Sequence, residues 1–230
     1  MRKTTRRIIA TSNPRNELDK LERFTKLIPD ADADALIILG NLAPRQAKTR
    51  DYARIFRLLA QIELPTFYLP GPEDAPIEEY LREAANIEVV HPQMHSVHGS
   101  YAFAPGHLLV AGLGGEIADD PDATREEREQ LRYPGWEAEY RLKILWELKD
   151  YPKLLLFATP PAHKGLGEGG SQTVAELIKT HNPKAAFVSG KERKQERLGD
   201  SWVIVPGSLA DGEFSLVDLH EGRVEAGAIS

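Results

Sequence analysis

Five short apolar runs in this chain of 230 residues each end in polar residues and glycines. The endings are Thr11-Ser12-Asn13-Pro14-Arg15-Asn16, Leu39-Gly40-Asn41-Leu42, Pro70-Gly71-Pro72-Glu73-Asp74, Ala158-Thr159-Pro160-Pro161 and Ser189-Gly190-Lys191-Glu192-Arg193. Ligands of an open α/β sheet bind at the carboxyl ends of its strands, so the five endings are expected to converge on one cleft. Arg15, Lys191 and Arg193 bring three positive charges there, Glu73 and Asp74 two negative ones, and Asn13 and Asn41 two amides. The balance is +1, and guanidinium forks match phosphate or carboxylate oxygens. This composition predicts a pocket for an anionic or phosphorylated small molecule. The competing reading of the same residues is a plug, with Glu73 and Asp74 neutralising the three cations, since a buried charge cluster must be paired in either case.

Other candidates are weaker. His91, His95 and His98 have the residue type of a metal cluster. In a strand, however, positions 95 and 98 face opposite ways and 91 and 95 lie about 13 Å apart, so surface histidines are expected. Gly112-Leu113-Gly114-Gly115-Glu116 lacks the final glycine of a dinucleotide fingerprint and reads as a turn. The stretch Lys164-Gly165-Leu166-Gly167-Glu168-Gly169-Gly170-Ser171 opens a helix and could hold an anion at its N-terminus, but lacks P-loop order. It reads as a lid or rim, with His163 and Glu116 as possible rim groups. No Gly-x-Ser-x-Gly elbow supports a serine hydrolase.

The elements that must position these turns follow from periodicity. Residues 6–11, 35–39 and 66–69 are short β-rich or apolar runs. They alternate with helical spacing over 18–28 and 52–62 and with a proline-opened helix over 76–85. Such alternation predicts parallel β-α-β units with the sheet covered on both faces. Residues 87–90, 96–103 and 108–112 read as strands without intervening helices. Residues 118–132, with a charge run over 119–129, read as a solvated surface excursion. A helix is predicted over 136–149, with Tyr140, Leu142, Leu145 and Trp146 as core contacts. A buried strand follows over 153–157, then a helix over 171–180 with Ser171 as N-cap. Strands over 185–189, 202–205, 214–218 and 223–226 close the chain, some of them antiparallel. With no repeat or linker, residues 1–230 are expected to form a single domain.

Composition narrows the function classes. At 25.6 kDa, with 41% hydrophobic and 28% charged residues, the chain is of ordinary globular type. It has no cysteine, which excludes disulfides, thiolate metal sites and cysteine nucleophiles. A net charge of −6 argues against a nucleic-acid partner. The basic N-terminus lacks the long apolar region of a signal peptide, and no stretch approaches a membrane span. A cytoplasmic location is expected, with no membrane partner; abundant charge and absent cysteine fit a thermophile.

The five endings, in this order, resemble the calcineurin-like metallophosphoesterases. That family carries Asp-x-His, Gly-Asp, Gly-Asn-His-Asp, a His near Pro-Pro and a late Gly-His-x-His, which together hold two metal ions. A group of small phosphoesterase-like proteins from thermophilic bacteria is especially similar, with the same Thr-Ser-Asn-Pro, Gly-Asn-Leu and Pro-Gly-Pro-x-Asp turns. The resemblance implies a calcineurin-like α/β sandwich, two mixed β-sheets flanked by helices. It also implies where ligands would stand, and there this sequence departs from the family. Asn13 and Arg15 occupy the Asp and His positions, and Asn41 that of the bridging Asp. Pro72 and Glu73 occupy those of Asn and His, Ala158 that of a His, and Lys191 and Arg193 those of the late histidines. Asp74 is kept.

Hard cations are held by charge as well as ligand count, and water without metal keeps a pKa of about 15.7 rather than about 7. The expectation is therefore a degenerate two-metal site with little or no hydrolysis and no cofactor. It binds its anion through Asn13, Arg15, Asn41, Glu73, Asp74, Lys191 and Arg193. The alternative is a metal-dependent phosphodiesterase or phosphatase with one divalent ion on Asn13, Asn41, Asp74 and His163. A homo-oligomer is allowed by either.

Overall fold

The computed structural model of the chain describes residues 4–120, 123, 127–167 and 169–229. Part of the expected charge run (residues 121–122 and 124–126) and Glu168 of the glycine-rich stretch lie outside the described residues.

The chain begins with the expected alternation: β1 (Arg7–Ser12), α1 (Leu18–Leu27), β2 (Ala35–Leu39), α2 (Thr49–Leu59), β3 (Thr66–Leu69), α3 (Ile77–Val90) and β4 (Met94–Ser96). It then crosses into a second sheet through β5 (Ser100–Ala104) and β6 (Leu108–Leu113). A peripheral excursion follows, made of β7 (Glu116–Ala118), α4 (Glu127–Gln130) and β8 (Arg132–Pro134). Next come α5 (Gly135–Arg141), α6 (Ile144–Glu147), β9 (Lys153–Phe157), α7 (Gln172–His181) and β10 (Ala185–Val188). The closing strands are β11 (Lys194–Leu198), β12 (Ser201–Val205), β13 (Glu213–Asp218) and β14 (Arg223–Ala228).

The two main sheets are six-stranded and mixed, in the orders β14-β13-β1-β2-β3-β4 and β11-β12-β10-β9-β6-β5. Strands β1 to β4 run parallel, as do β6, β9, β10 and β12, and the remaining pairings are antiparallel. Successive strand side chains point to opposite faces, which explains why the central strands are apolar throughout. Ile8, Ile37 and Phe67 meet Val110, Leu156 and Phe187 between the sheets. Ile9, Ile38 and Tyr68 pack outward on the helices that carry Phe24, Phe56 and Tyr80. Fully burying each such side chain contributes about 1.5–3 kcal/mol. The result is an α/β sandwich of two mixed sheets flanked by helices. No helix among the described residues is long and apolar enough to cross a membrane.

Several expected boundaries are corrected. Residues 87–90 are the end of α3, not a strand; Val89 and Val90 are exposed, so they have no sheet to enter. Residues 96–103 do not form one strand. Gly99, at φ +65°, divides them between two sheets. Residues 118–132 are not simply a solvated face, because Ala118, Ala123 and Leu131 are buried and β7 pairs with β8. The helix expected over 136–149 is broken into α5 and α6. Leu142 and Leu145 are buried as expected, whereas Tyr140 and Trp146 are exposed. The charged strand β11 had no apolar signal to reveal it.

The histidines are not all on the surface. His98 is partly buried, with its Nδ1 accepting from Gly114 N–H at 3.0 Å and its Nε2 3.1 Å from the Tyr133 hydroxyl. Burial, reinforced by the nearby Arg141, pushes its pKa down to about 4. His95 stacks on Phe67 at a centroid distance of 5.2 Å. The expected N-cap of α7 is present, with Ser171 Oγ accepting from Val174 N–H. An anion is already seated at that helix N-terminus, however. Asp119 accepts from the N–H groups of Gln172 and Thr173 and from Ser171 Oγ, so the helix N-terminus that could have held an exogenous anion is filled by the protein itself.

Candidate functional site

The turns after β1, β2 and β3 are brought together by backbone approach. Arg15 N–H donates to Asn41 O and Asn16 N–H to Leu42 O, while Gly40 N–H donates to Leu69 O. A Cβ at Gly40 would stand 1.8 Å from Gly71 N, and one at Gly71 would stand 2.1 Å from Asn41 Oδ1. Glycine is required at both because two turns meet backbone to backbone. Asn13, Arg15 and Asn16 all have positive φ, near 50–60°. Asparagine tolerates this left-handed region; for Arg15 it is a held, strained conformation.

At the centre lie the two amides. Asn13 Oδ1 accepts from Asn41 N–H at 2.9 Å and from Asn41 Nδ2 at 3.2 Å. Asn41 Oδ1 accepts from Glu73 N–H at 2.7 Å. Arg15 and Glu73 form an ion pair of 2.8 Å, with side chains 49% and 37% exposed. Asp74 has no exposure. Its Oδ2 accepts from Gly71 N–H and Leu42 N–H, and its Oδ1 from Ala43 N–H and the Tyr52 hydroxyl, at 2.8–3.0 Å. Burial without a cation pushes its pKa up to about 6, against the opposing pull of these four donors.

The second-sheet turns are held by different contacts. Ser189 Oγ donates to Gly40 O, and Thr159 Oγ1 donates to Gly115 O while accepting from Ile117 N–H. Arg193 does not meet Glu73. It pairs with Glu213 at 3.2 Å and donates to Gly227 O. Its Nε is buried without a hydrogen-bond partner. Lys191 makes no ion pair among the described residues. It lines a cleft of about 420 Å³ with Glu192, Arg193, Asp211 and Glu213, where acids outnumber bases three to two. His163 turns its Nδ1 to Gly165 N–H in the rim loop.

The sequence reading therefore assembles Asn13, Arg15, Asn41, Glu73 and Asp74 in one network. Lys191 and Arg193 form a neighbouring group. Sequence reasoning missed Glu213, the partner of Arg193, and Tyr52, a donor to Asp74. Neither carries a local signal, since both arrive from other elements.

The donor set does not fit a divalent ion. Asn13 Oδ1 and both Asp74 oxygens already accept two hydrogen bonds each, and Arg15 adds positive charge. Among the described residues, no three His, Cys, Asp or Glu side chains are grouped to hold one metal.

Comparison with known proteins gives the wider setting. The TT1561 protein of Thermus thermophilus is similar in structure, with 58% identity over 99% of this chain and 100% of that one and a TM-score of 0.93. A second crystal structure has 26% identity, the same coverage and a TM-score of 0.89. A novel archaeal phosphodiesterase shares the fold at 10% identity, covering 97% of this chain and 99% of its own, with a TM-score of 0.55. No curated protein matches the chain. A family model described as Metallophosphoesterase, calcineurin superfamily, matches residues 1–229. The sandwich agrees with that match, and the chain belongs to the calcineurin superfamily of metallophosphoesterases.

Proposed function

We propose that this chain is a metallophosphoesterase-fold protein with a degenerate metal site, which binds an anionic or phosphorylated small molecule without metal and with little or no hydrolysis. One observation carries the reading. The amides and the carboxylate at the expected ligand positions are already hydrogen-bonded to the protein itself, and a guanidinium stands beside them. Arg15 is the anchor for the anion. Its pair with Glu73 is half exposed, and such pairs are worth about 0–1 kcal/mol, so a phosphate can displace the carboxylate at little cost. The spare N–H of the Asn41 amide and the Lys191 ammonium add donors of the same sign preference. Asp74 does not touch the ligand in this reading; it holds the loops that aim Asn41 and Glu73.

The test is calorimetric titration with inorganic phosphate and with AMP, in chelator, beside a phosphodiester hydrolysis assay with and without Mn²⁺. Binding in chelator that is lost in Arg15→Ala, without Mn²⁺-dependent turnover, is the expected result. No binding of either probe overturns it. The second reading is a metal-dependent phosphodiesterase or phosphatase with one ion near Asn13, Asn41, Asp74 and His163. The unused lone pair of Asn41 Oδ1 is the observation in its favour. Turnover that requires Mn²⁺ and vanishes in Asn41→Ala would establish that alternative.

A further inference from the structure

The two main sheets have four edges, and three are guarded against pairing. The edge strand β11 carries Lys194, Glu196 and Arg197, β14 carries Arg223 and Glu225, and β4 is only three residues long. Charge and shortness are the usual devices that keep an edge from recruiting another strand. The fourth edge, β5, has neither. Its sequence is Ser-Tyr-Ala-Phe-Ala, no charged residue occurs from Gly99 to Gly106, and among the described residues β5 pairs only with β6.

The exposed side chains of β5 are aromatic. Tyr101 and Phe103 are 43% and 41% exposed and stand edge-to-face at 6.1 Å, with Tyr151 5.0 Å beyond Phe103. Beside this ridge opens a cavity of about 670 Å³, bounded by Pro65, Pro92, His95, Phe103 and Pro105 among others. None of its nine lining residues is Asp, Glu, Lys or Arg, whereas three other clefts on the surface are lined mainly by charged side chains.

We infer that β5 is a self-association edge, which pairs antiparallel with β5 of a second copy of this chain across a two-fold axis. The chain carries a net charge of −6, so two copies repel one another and meet best through a face without charge. A two-fold axis brings one surface onto itself, and antiparallel pairing of a strand with its own copy satisfies that symmetry. The aromatic ridge then supplies the apolar burial that backbone pairing alone lacks.

Light scattering after size exclusion on the full chain tests this. The expected mass is twice the 25.6 kDa of the monomer, falling to the monomer value in Phe103→Lys and in Tyr101→Lys with folding preserved. A monomeric wild-type protein overturns the inference, as does a dimer that survives both substitutions. Should either variant fail to fold, hydrogen exchange on the wild-type chain decides. Protection of the amides of residues 100–104 that rises with chain concentration supports the edge, and protection independent of concentration overturns it.

Discussion

The strand-end turns form two unlike halves. In the half built from the turns after β1, β2 and β3, nearly every polar group is committed. Asp74 gathers three backbone N–H groups and the Tyr52 hydroxyl, and the two amides bind each other and Glu73. In the half after β10, Lys191 is exposed and Arg193 is tied outward to Glu213. A carboxylate kept in place is not thereby a ligand: Asp74 faces N–H donors from the turns after β2 and β3 and carries structure. The open half and the half-exposed Arg15–Glu73 pair at the boundary can exchange partners; the buried network around Asp74 cannot without losing its own hydrogen bonds.

The sharpest way to break this comparison is Asp74→Ala. It leaves four buried donors without an acceptor, and a loss of at least about 3 kcal/mol in urea unfolding is expected. A change under about 0.5 kcal/mol would show that the closed half is not held by this carboxylate.

The pH dependence comes next. The folded-state pKa of Asp74, about 6, lies above its ordinary value of 3.8, so the folded protein binds a proton that the unfolded chain releases. The carboxyl therefore favours the fold most fully below the ordinary value, and that contribution is lost as pH rises through about 6. Integrated, the difference is up to about 3 kcal/mol. Asp218 and Asp119 are held low by their hydrogen bonds and act in the opposite sense. Comparing the wild type with Asp74→Asn isolates the effect: the wild type should gain on the variant as pH falls. Parallel curves would contradict the shift.

Gly71→Ala should cost about 1–3 kcal/mol, because the new methyl collides with Asn41 Oδ1 and both groups belong to packed turns. Its thermal midpoint against that of Gly199→Ala, which has a positive φ but open space, separates collision from backbone strain.

Arg15→Ala and Glu73→Gln sharpen the comparison at its boundary. Each should change stability by no more than about 1 kcal/mol, since the pair is half exposed. The thermal shift produced by phosphate should vanish in the first and grow in the second, where the competing carboxylate charge is gone. The smallest effect belongs to the open half: Lys191→Ala should alter stability by less than about 0.5 kcal/mol.

Much of this molecule was legible before its folding was known. The run Ala35–Leu39 is apolar at every position because both faces of β2 are covered, and that pattern alone predicts a central strand. That Asn13, Asn41 and Asp74 stand in converging turns was legible because each follows such a run. Residues 87–90 misled because β-branched residues favour strands only where a sheet can receive them, and here they end an exposed helix turn. His98 misled because its hydrogen-bond partners, Tyr133 and Gly114, reach it from other parts of the chain.

Residue types and order alone determined the sandwich class, the positions of the turns and the presence of amides and cations at those turns. Those properties are carried by local periodicity and by position along the chain. Tertiary structure decided the partners: Asp74 turns to backbone N–H groups, Arg193 chooses Glu213 over Glu73, and one edge of four is left uncharged and, among the described residues, unpaired. Charge signs are written in the sequence, but which charges meet depends on distances between segments that only folding brings together.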